Sequence, residues 1–202
     1  MLIIWMNNFK HKQMKNIRVN TSKIDPSIPE ALSKLSKDEL LKLVLKAASK
    51  DKGFHDYLLV NCGEKEYGEK ELFELAIADL DNILAKRHKG FSEELKMANA
   101  LQACNKRIDE FAKVCKNKKL EMDLIMYLLR KSFYNSGLSF GSCFTNYDYR
   151  VTLLLKKAIS VLNKKLHEDY KVDYTEELNS YLSKLKSCAN FFDFVSALPS
   201  KI

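Results

Sequence analysis

Apolar residues recur every three or four positions along most of the chain, which is the spacing of one face of an α-helix. The longest such stripe runs from Met97 to Cys115 in steps of 4, 3, 4, 3 and 4 residues, and a second runs from Val151 to Leu166. No segment of similar length alternates apolar and polar residues, as a half-buried β-strand does. The pattern therefore predicts an all-α fold.

About seven helices are predicted on this basis, packed as antiparallel pairs in a compact bundle or a short αα-superhelix. The scarcity of turn-forming residues agrees with this, since the chain has only six glycines and three prolines. The expected helices cover residues 37–48, 51–62, 69–89, 97–115, 121–133, 151–166 and 174–188, with a last apolar turn before Pro199.

Local signals mark several helix ends. Ser36 and Glu39 have the S-x-x-E spacing of a capping box, in which each side chain bonds to the backbone amide of the other residue. Gly63 stands where a left-handed C-cap is expected. In the helix that ends there, Phe54, Tyr57 and Leu58 are predicted to face the core.

Residues 86–92, KRHKGFS, admit two interpretations. Basic side chains suit the negative end of one helix, Gly90 suits its C-cap, and Ser92 can cap the next helix. The same cluster could instead bind an anion at the start of that next helix. Glu93 and Glu94 would repel an anion there, so a helix boundary is the favoured interpretation.

The formal net charge of +8 is unevenly placed along the chain. Residues 1–25 hold five basic residues and one acidic residue, so half of the excess belongs to this segment. We therefore predict a basic, disordered tail over residues 1–26 and a single all-helical domain over residues 27–199. Residues 1–13 are alternatively a start-site artefact, because Met14 opens an equally plausible polypeptide, MKNIRVN.

The five cysteines are odd in number and form no C-x-x-C pair, which argues against a disulfide framework. Reduced thiols in a buried core are the expected state, and they predict a cytoplasmic protein. No apolar stretch reaches the roughly 18 residues of a membrane span, so no membrane association is expected. The cysteines are Cys62, Cys104, Cys115, Cys143 and Cys188.

Three stretches of the sequence resemble a known protein family. They are SKLSKDELLKLVLKAASKDKGFHDYLLV, NILAKRHKGFSEELKMANALQACNKRIDEFAKVC and KKLHEDYKVDYTEEL. The family consists of small all-helical bacterial proteins and is known as a domain of unknown function. The resemblance covers about residues 33–199 and implies a helical fold in a bacterial cytosolic setting. It brings no catalytic motif and therefore implies no functional residue.

Two groups of lysines form a candidate surface for nucleic acid, since a basic stripe of this kind can track phosphates. Lys106 and Arg107 are grouped with the same surface. Acidic residues are interspersed among these cations, so ordinary solvated helix faces are the favoured interpretation. The candidate contacts are Lys157, Lys164 and Lys165 on the sixth predicted helix, with Lys113, Lys116 and Lys119 at the end of the fourth.

The longest irregular segment, residues 135–146, is a candidate functional loop, because long loops in compact domains often carry function. It contains neither a phosphate-binding G-x-x-x-x-G-K-[ST] motif nor a G-x-S-x-G motif. A nucleophilic Cys143 would need a nearby base that the sequence does not identify. A connector whose phenylalanines plug the core is the favoured interpretation. The residues singled out are Ser139, Phe140, Cys143, Phe144 and Tyr147.

No set of residues has the spacing of a metal site, and no cofactor is expected. His167, flanked by acids and expected near a helix C-terminus, is interpreted as a surface cap. We predict a non-enzymatic binding module that presents a helix face or groove to a protein partner. Nucleic-acid binding is the first alternative, and an enzyme that uses the 135–146 loop is the second. The sequence leaves the oligomeric state open.

Overall fold

A computed structural model describes residues 24–86, 92–134, 140–141, 146–188 and 192–202. Every regular element within these residues is helical, which confirms the all-α prediction. They form eight helices of seven or more residues and one single helical turn. The helices are α1 (Ser27–Ser33), α2 (Lys37–Ala48), α3 (Lys52–Cys62), α4 (Lys65–Ala85), α5 (Glu93–Val114), α6 (Lys118–Tyr134), α7 (Asn146–Lys164), α8 (Glu168–Ser187) and the turn α9 (Phe192–Val195).

The eighth full helix, α1, is the element that the predicted count of about seven omits. Pro26 and Pro29 stand at its start, and prolines in a sequence usually end a helical pattern. In this helix Pro26 is the N-cap and Pro29 lies in the first turn. The amides of a first turn have no acceptor within the helix, so proline costs nothing there.

The chain divides into two units, Met1–Lys46 and Ala47–Ile202, and the boundary falls near the end of α2. In the first unit, the predicted capping box is confirmed. The Ser36 amide donates to Glu39 Oε2 over 2.8 Å, and the Glu39 amide donates to Ser36 Oγ over 3.3 Å. Neither α1 nor α2 contains a buried residue.

The second unit builds its core by packing each helix from α3 to α8 against the next. Contacts also join α3 to α5, α4 to α6 and α5 to α7. The predicted stripes on α5 and α7 are buried as expected, apart from Met97, which is only partly covered. Helix α6 is enclosed on most sides, and its buried apolar residues are Met122, Leu124, Ile125, Met126, Leu128, Leu129 and Phe133.

Two expectations about α3 are wrong. Tyr57 is exposed, and the residues of α3 that are buried are Asp56 and Val60. Gly63 has φ −108° and ψ −159°, so its backbone is extended instead of left-handed. The extended conformation leads the chain directly into α4, which begins two residues later. Among the described residues, the glycine with a left-handed backbone is Gly141, at φ +87°.

A buried ionic network joins α3, α4 and α5. The Arg107 side chain is only 6% exposed and lies between two carboxylates. Its Nε donates to Asp79 Oδ2 over 2.8 Å, and its Nη2 lies 3.2 Å from Asp56 Oδ2. Lys52 reaches Asp79 from the solvent side at 2.7 Å. The prediction that Arg107 belongs to a basic surface is therefore wrong.

The carboxylate of Asp79 is held in its charged form by this network. Burial opposes ionisation of Asp79, but hydrogen bonds from Lys52 and Arg107 outweigh it and hold the pKa below its ordinary value. Two of the three helices thus supply an anion to one buried cation. Removing Arg107, or removing the aspartates that pair with it, would leave a charge in the interior without a partner of opposite sign.

Helices α3 and α4 approach each other most tightly at Gly68. A Cβ atom on this residue would lie 2.3 Å from the carbonyl oxygen of Leu59 and 3.1 Å from the Cα atom of Val60. Both atoms belong to the backbone of α3, so they cannot move away as a flexible side chain would. Glycine is therefore required for this helix crossing.

We expect Gly68→Ala to lower the free energy of unfolding by up to about 2 kcal/mol, because an overpacking cost of about 1–3 kcal/mol outweighs the gain of about 1 kcal/mol in helix propensity. Urea unfolding followed by circular dichroism measures the change. Gly63→Ala is the matched control, since its Cβ would meet the Leu59 oxygen at 3.8 Å, an ordinary contact. Equal stability of the two variants would show that the close approach at Gly68 is not a constraint.

Candidate functional site

The predicted basic stripe on α7 is largely engaged within the molecule. Lys157 donates to Asn105 Oδ1 over 2.9 Å and pairs with Asp109 at 2.7 Å, which ties α7 to α5. Lys165 lies 3.6 Å from the buried carboxylate of Glu121. Lys164 is exposed and has no ion-pair partner within the described ranges. The three lysines therefore have different surroundings and do not act as one set of free cations.

The lysines that were predicted to form a basic corner at the end of α5 are also largely engaged within the molecule. Lys116 donates to the carbonyl oxygen of Lys113 over 2.7 Å, as a cation at a helix C-terminus often does. Lys119 pairs with Asp123 at 3.3 Å. The side chain of Lys113 is exposed. Most of the positive charge in this corner thus contributes to helix ends and to ion pairs between neighbouring turns.

Of the candidate loop residues, Phe140 and Tyr147 lie within the described ranges, whereas Ser139, Cys143 and Phe144 lie outside them. Phe140 contacts Phe133 at a ring-centroid distance of 4.9 Å and stacks on Tyr147 at 5.9 Å. Tyr147 is fully buried and donates to the carbonyl oxygen of Ser132 over 2.8 Å. These two rings plug the core, and Phe140 does so as the favoured interpretation of the loop predicts, whereas Phe144 lies outside the described residues.

Asp148 is a buried group beside this plug that the sequence interpretation missed. Its side chain is fully buried, Oδ2 accepts a hydrogen bond of 3.4 Å from the Gly141 amide, and Oδ1 has no partner in the described structure. Burial, reinforced by the negative charge of Glu94, raises the pKa of Asp148 to about 6. The carboxyl group is therefore close to its protonation midpoint under mildly acidic conditions.

The described thiols and histidines do not assemble a reactive centre. Burial first, and then the charge of Asp81, raises the pKa of Cys104 to about 12, which suppresses the nucleophilic thiolate. Cys62 is exposed, contrary to the expectation that the cysteines are buried. His167 is a surface cap as predicted, but it caps the N-terminus of α8, where its Nδ1 accepts from the Asp169 amide over 3.4 Å.

No cluster of three or more potential metal ligands occurs within the described residues. Among the same residues, no helix combines the length and the apolar character that crossing a membrane requires.

The surface of α2 is unusually rich in exposed apolar side chains. Four consecutive or near-consecutive apolar side chains are between 36% and 58% exposed. They are Leu41, Leu43, Val44 and Leu45. At the helical spacing of 100° per residue, Leu41, Val44 and Leu45 share one face with Ala48. The periodicity that predicted a core-facing helix is present, yet the face that it defines is open to solvent. Leu43 lies roughly 200° around the helix from Leu41, on the other side, so we call Leu41, Val44 and Leu45 the α2 face.

Charge is ordered along α2 as well. Asp38 and Glu39 lie in its first turn, and Lys42 and Lys46 lie in its later turns. Lys37 is a cation at the acidic end and is the exception. This order complements the helix dipole, with anions near the N-terminus and cations near the C-terminus. The α2 face is therefore bordered by opposite charges at its two ends.

Comparisons with known proteins give no match, whether to a family model, to a curated protein or to a solved structure. The resemblance to the family of small bacterial helical proteins consequently stays a prediction.

The raised pKa of Asp148 predicts a specific dependence of stability on pH. The folded state binds the proton with a pKa of about 6, against an ordinary value of 3.8. Stability from this group therefore falls as the pH rises from about 4 to about 6 and is constant above that range. We expect Asp148→Asn to remove this dependence and to raise the unfolding free energy at pH 8 by up to about 3 kcal/mol.

Chemical denaturation at a series of pH values measures this difference, with the exposed Asp173→Asn as the matched control. Carboxylates whose pKa is lowered, such as Asp79, impose the opposite slope on both proteins, so the difference between variant and parent is the relevant quantity. A difference that stays constant from pH 4 to pH 8 would show that Asp148 is not titrating in this range.

Proposed function

We propose that this protein is a non-enzymatic helical interaction module and that the α2 face is its docking surface. The observation that carries the proposal is the combination of a helix without buried residues and three apolar side chains on one of its faces that are 36–58% exposed. Contiguous apolar surface of this kind marks interaction sites on soluble domains, whereas single exposed leucines are ordinary.

Energetics support docking over a solvated role for this helix. Complete burial of a leucine side chain contributes about 1.5–3 kcal/mol relative to full exposure. With Leu41 and Leu45 each more than half exposed, α2 forgoes a large part of this stabilisation until another surface covers it. Isolated helices of about 12 residues are also marginal in water, so α2 gains order when its apolar face is covered.

The occupant that fits the α2 face best is a second copy of α2. In a two-fold symmetric pair the same surface meets itself, and when the axis is perpendicular to α2 the two helices run antiparallel. Asp38 and Glu39 of one copy then lie near Lys42 and Lys46 of the other. The dipoles of the two antiparallel helices also attract each other. An apolar stripe bordered by opposite charges is thus complementary to itself.

The alternatives are less well supported by the described structure. For nucleic acid, Lys157, Lys165 and Lys119 already pair with carboxylates, which reduces the positive field that phosphates would meet. For an enzyme, Cys143 lies outside the described residues, and the neighbouring Phe140 packs into the core. The second alternative therefore has no described constellation to support it.

The proposed setting is the bacterial cytoplasm, as the resemblance and the cysteine pattern predict. The four cysteines within the described ranges are all unpaired, which supports a reducing compartment. They are Cys62, Cys104, Cys115 and Cys188.

We expect the protein to sediment as a dimer at high micromolar concentration and the Leu41→Glu/Leu45→Glu variant to sediment as a monomer. Two buried carboxylates on each copy would meet across the two-fold axis and repel each other. Analytical ultracentrifugation over a concentration series measures the association, and circular dichroism verifies that the variant keeps its helix content.

Val172→Glu is the matched control, because Val172 is an 81% exposed apolar residue on α8 and lies outside the α2 face. This variant should dimerise like the parent protein. A parent protein that stays monomeric at every concentration would exclude a second copy as the occupant. A dimer that persists in the double-glutamate variant would show that the interface lies elsewhere.

A further inference from the structure

Asp148 is a buried carboxyl group whose hydrogen-bonding capacity is mostly unused. An ionised carboxylate can accept about four hydrogen bonds, yet the Gly141 amide is the donor described for Oδ2, over 3.4 Å, and Oδ1 has no partner in the described structure. The hydroxyl groups closest in sequence donate to backbone carbonyls instead. Thr152 donates to the carbonyl oxygen of Asp148, and Tyr147 donates to that of Ser132, each over 2.8 Å. A carboxyl group in these surroundings is most stable when it is protonated.

The charges around Asp148 also disfavour its ionised form. Glu94, in the first turn of α5, is negative and opposes ionisation. The described cations at this end of the surrounding helices are engaged in ion pairs, backbone hydrogen bonds or a ring contact. They are Lys96 on α5, Arg130 and Lys131 on α6, Arg150 on α7, and Lys184 and Lys186 on α8. The described side chains of α9 are apolar. No described cation therefore neutralises a charge on Asp148.

Phe140 and Gly141 form the turn that contacts this carboxyl group. Gly141 has φ +87°, a conformation that favours glycine, and its amide donates to Asp148. A Cβ atom built on Gly141 would lie 3.7 Å from the Cβ atom of Cys188, so the turn also lies against the end of α8. The Phe140 ring stacks on Tyr147. Because Gly141 is only half-buried, a displacement of this turn can admit water to Asp148 without unfolding the helices.

We propose that Asp148 is a pH-sensitive switch for the Gly141 turn: its protonated carboxyl group keeps the turn seated on α7 and α8, and its ionisation releases the turn. The physical reason is the cost of a buried charge without a counter-charge, which falls when the turn moves away and water solvates the carboxylate. This inference is independent of the proposed function, because Asp148 belongs to the second unit and the α2 face to the first.

The direction of the pH effect follows from the two states of the carboxyl group. In the seated state, burial outweighs the hydrogen bond from Gly141 and, together with the charge of Glu94, raises the pKa of Asp148 to about 6. A hydrated aspartate has the ordinary pKa of 3.8. The stabilisation of the seated turn is therefore complete below about pH 4, decreases as the pH rises to about 6 and is constant above that. Over this range the ratio of released to seated turn increases by up to about 100-fold.

Hydrogen exchange of the Gly141 amide, followed by NMR in the full-length protein from pH 4 to pH 7, tests this switch. Dividing the intrinsic exchange rate at each pH by the measured rate gives a protection factor that is free of the chemical pH dependence. We expect the protection of Gly141 to fall at least about tenfold as the pH rises, and to be lower than that of the α6 amides at pH 7. Protection that is independent of pH would overturn the proposal. Protection equal to that of α6 at every pH would also overturn it, since the turn would then be released only by global unfolding.

Asp148→Asn is the informative variant, because its side chain is nearly the same size and carries no charge at any pH. The protection of the Gly141 amide should no longer change with pH in this variant. Asp173→Asn, which removes an exposed carboxylate of α8, is the matched control and should behave like the parent protein. A loss of protection in Asp148→Asn that equals the loss in the parent would show that another group controls the turn. The profile of the parent protein needs no substitution, so it decides the question even if Asp148→Asn does not fold.

Discussion

A buried arginine sets the arrangement of the three helices that open the second unit. Arg107 projects from α5 into the interior, and its charge is tolerated there because α3 and α4 each supply an aspartate. Such a network specifies geometry more than it adds stability, since it must repay the desolvation of every charge in it. The register of α3 against α4 is fixed independently by Gly68, where the two backbones come too close for any side chain.

The core that grows from this corner is complete without the apolar residues of α1 and α2. Within the described chain, every buried apolar residue lies at Val60 or beyond. Helices α5, α6 and α7 provide most of that core, and the aromatic plug around Phe140 and Tyr147 closes it beside Asp148. The α2 face is therefore surplus to folding of the second unit. Contiguous apolar surface of this kind is the basis of the proposal that the α2 face is a docking surface.

Helical periodicity was sufficient to predict the fold class and the buried stripes, because those depend on local spacing and on burial alone. The capping box at Ser36 is confirmed, and so is the stripe on α5 except for Met97, which is only partly buried. The same pattern could not reveal that the α2 face is uncovered. An apolar stripe shows which side of a helix avoids water, but the partner that covers it is a long-range property of the fold.

The surroundings of charged side chains were predicted least well, because they depend on elements that are distant in the sequence. Arg107 lies on the apolar stripe of α5, three residues after Cys104 and four before Phe111, so its position was a usable signal of burial. Lys157 gave no such signal, because its partner Asp109 lies on a different helix. The prediction of a left-handed backbone at Gly63 was wrong because the conformation at a helix end depends on where the next helix must begin.

The central claim is that the α2 face is covered by a second copy of the chain. Hydrogen–deuterium exchange of the α2 amides, read by mass spectrometry at low and at high protein concentration, tests it most directly. We expect exchange over Lys37–Ala48 to slow markedly at high concentration while exchange over α8 stays the same. Exchange over α2 that is fast and identical at both concentrations would contradict the claim.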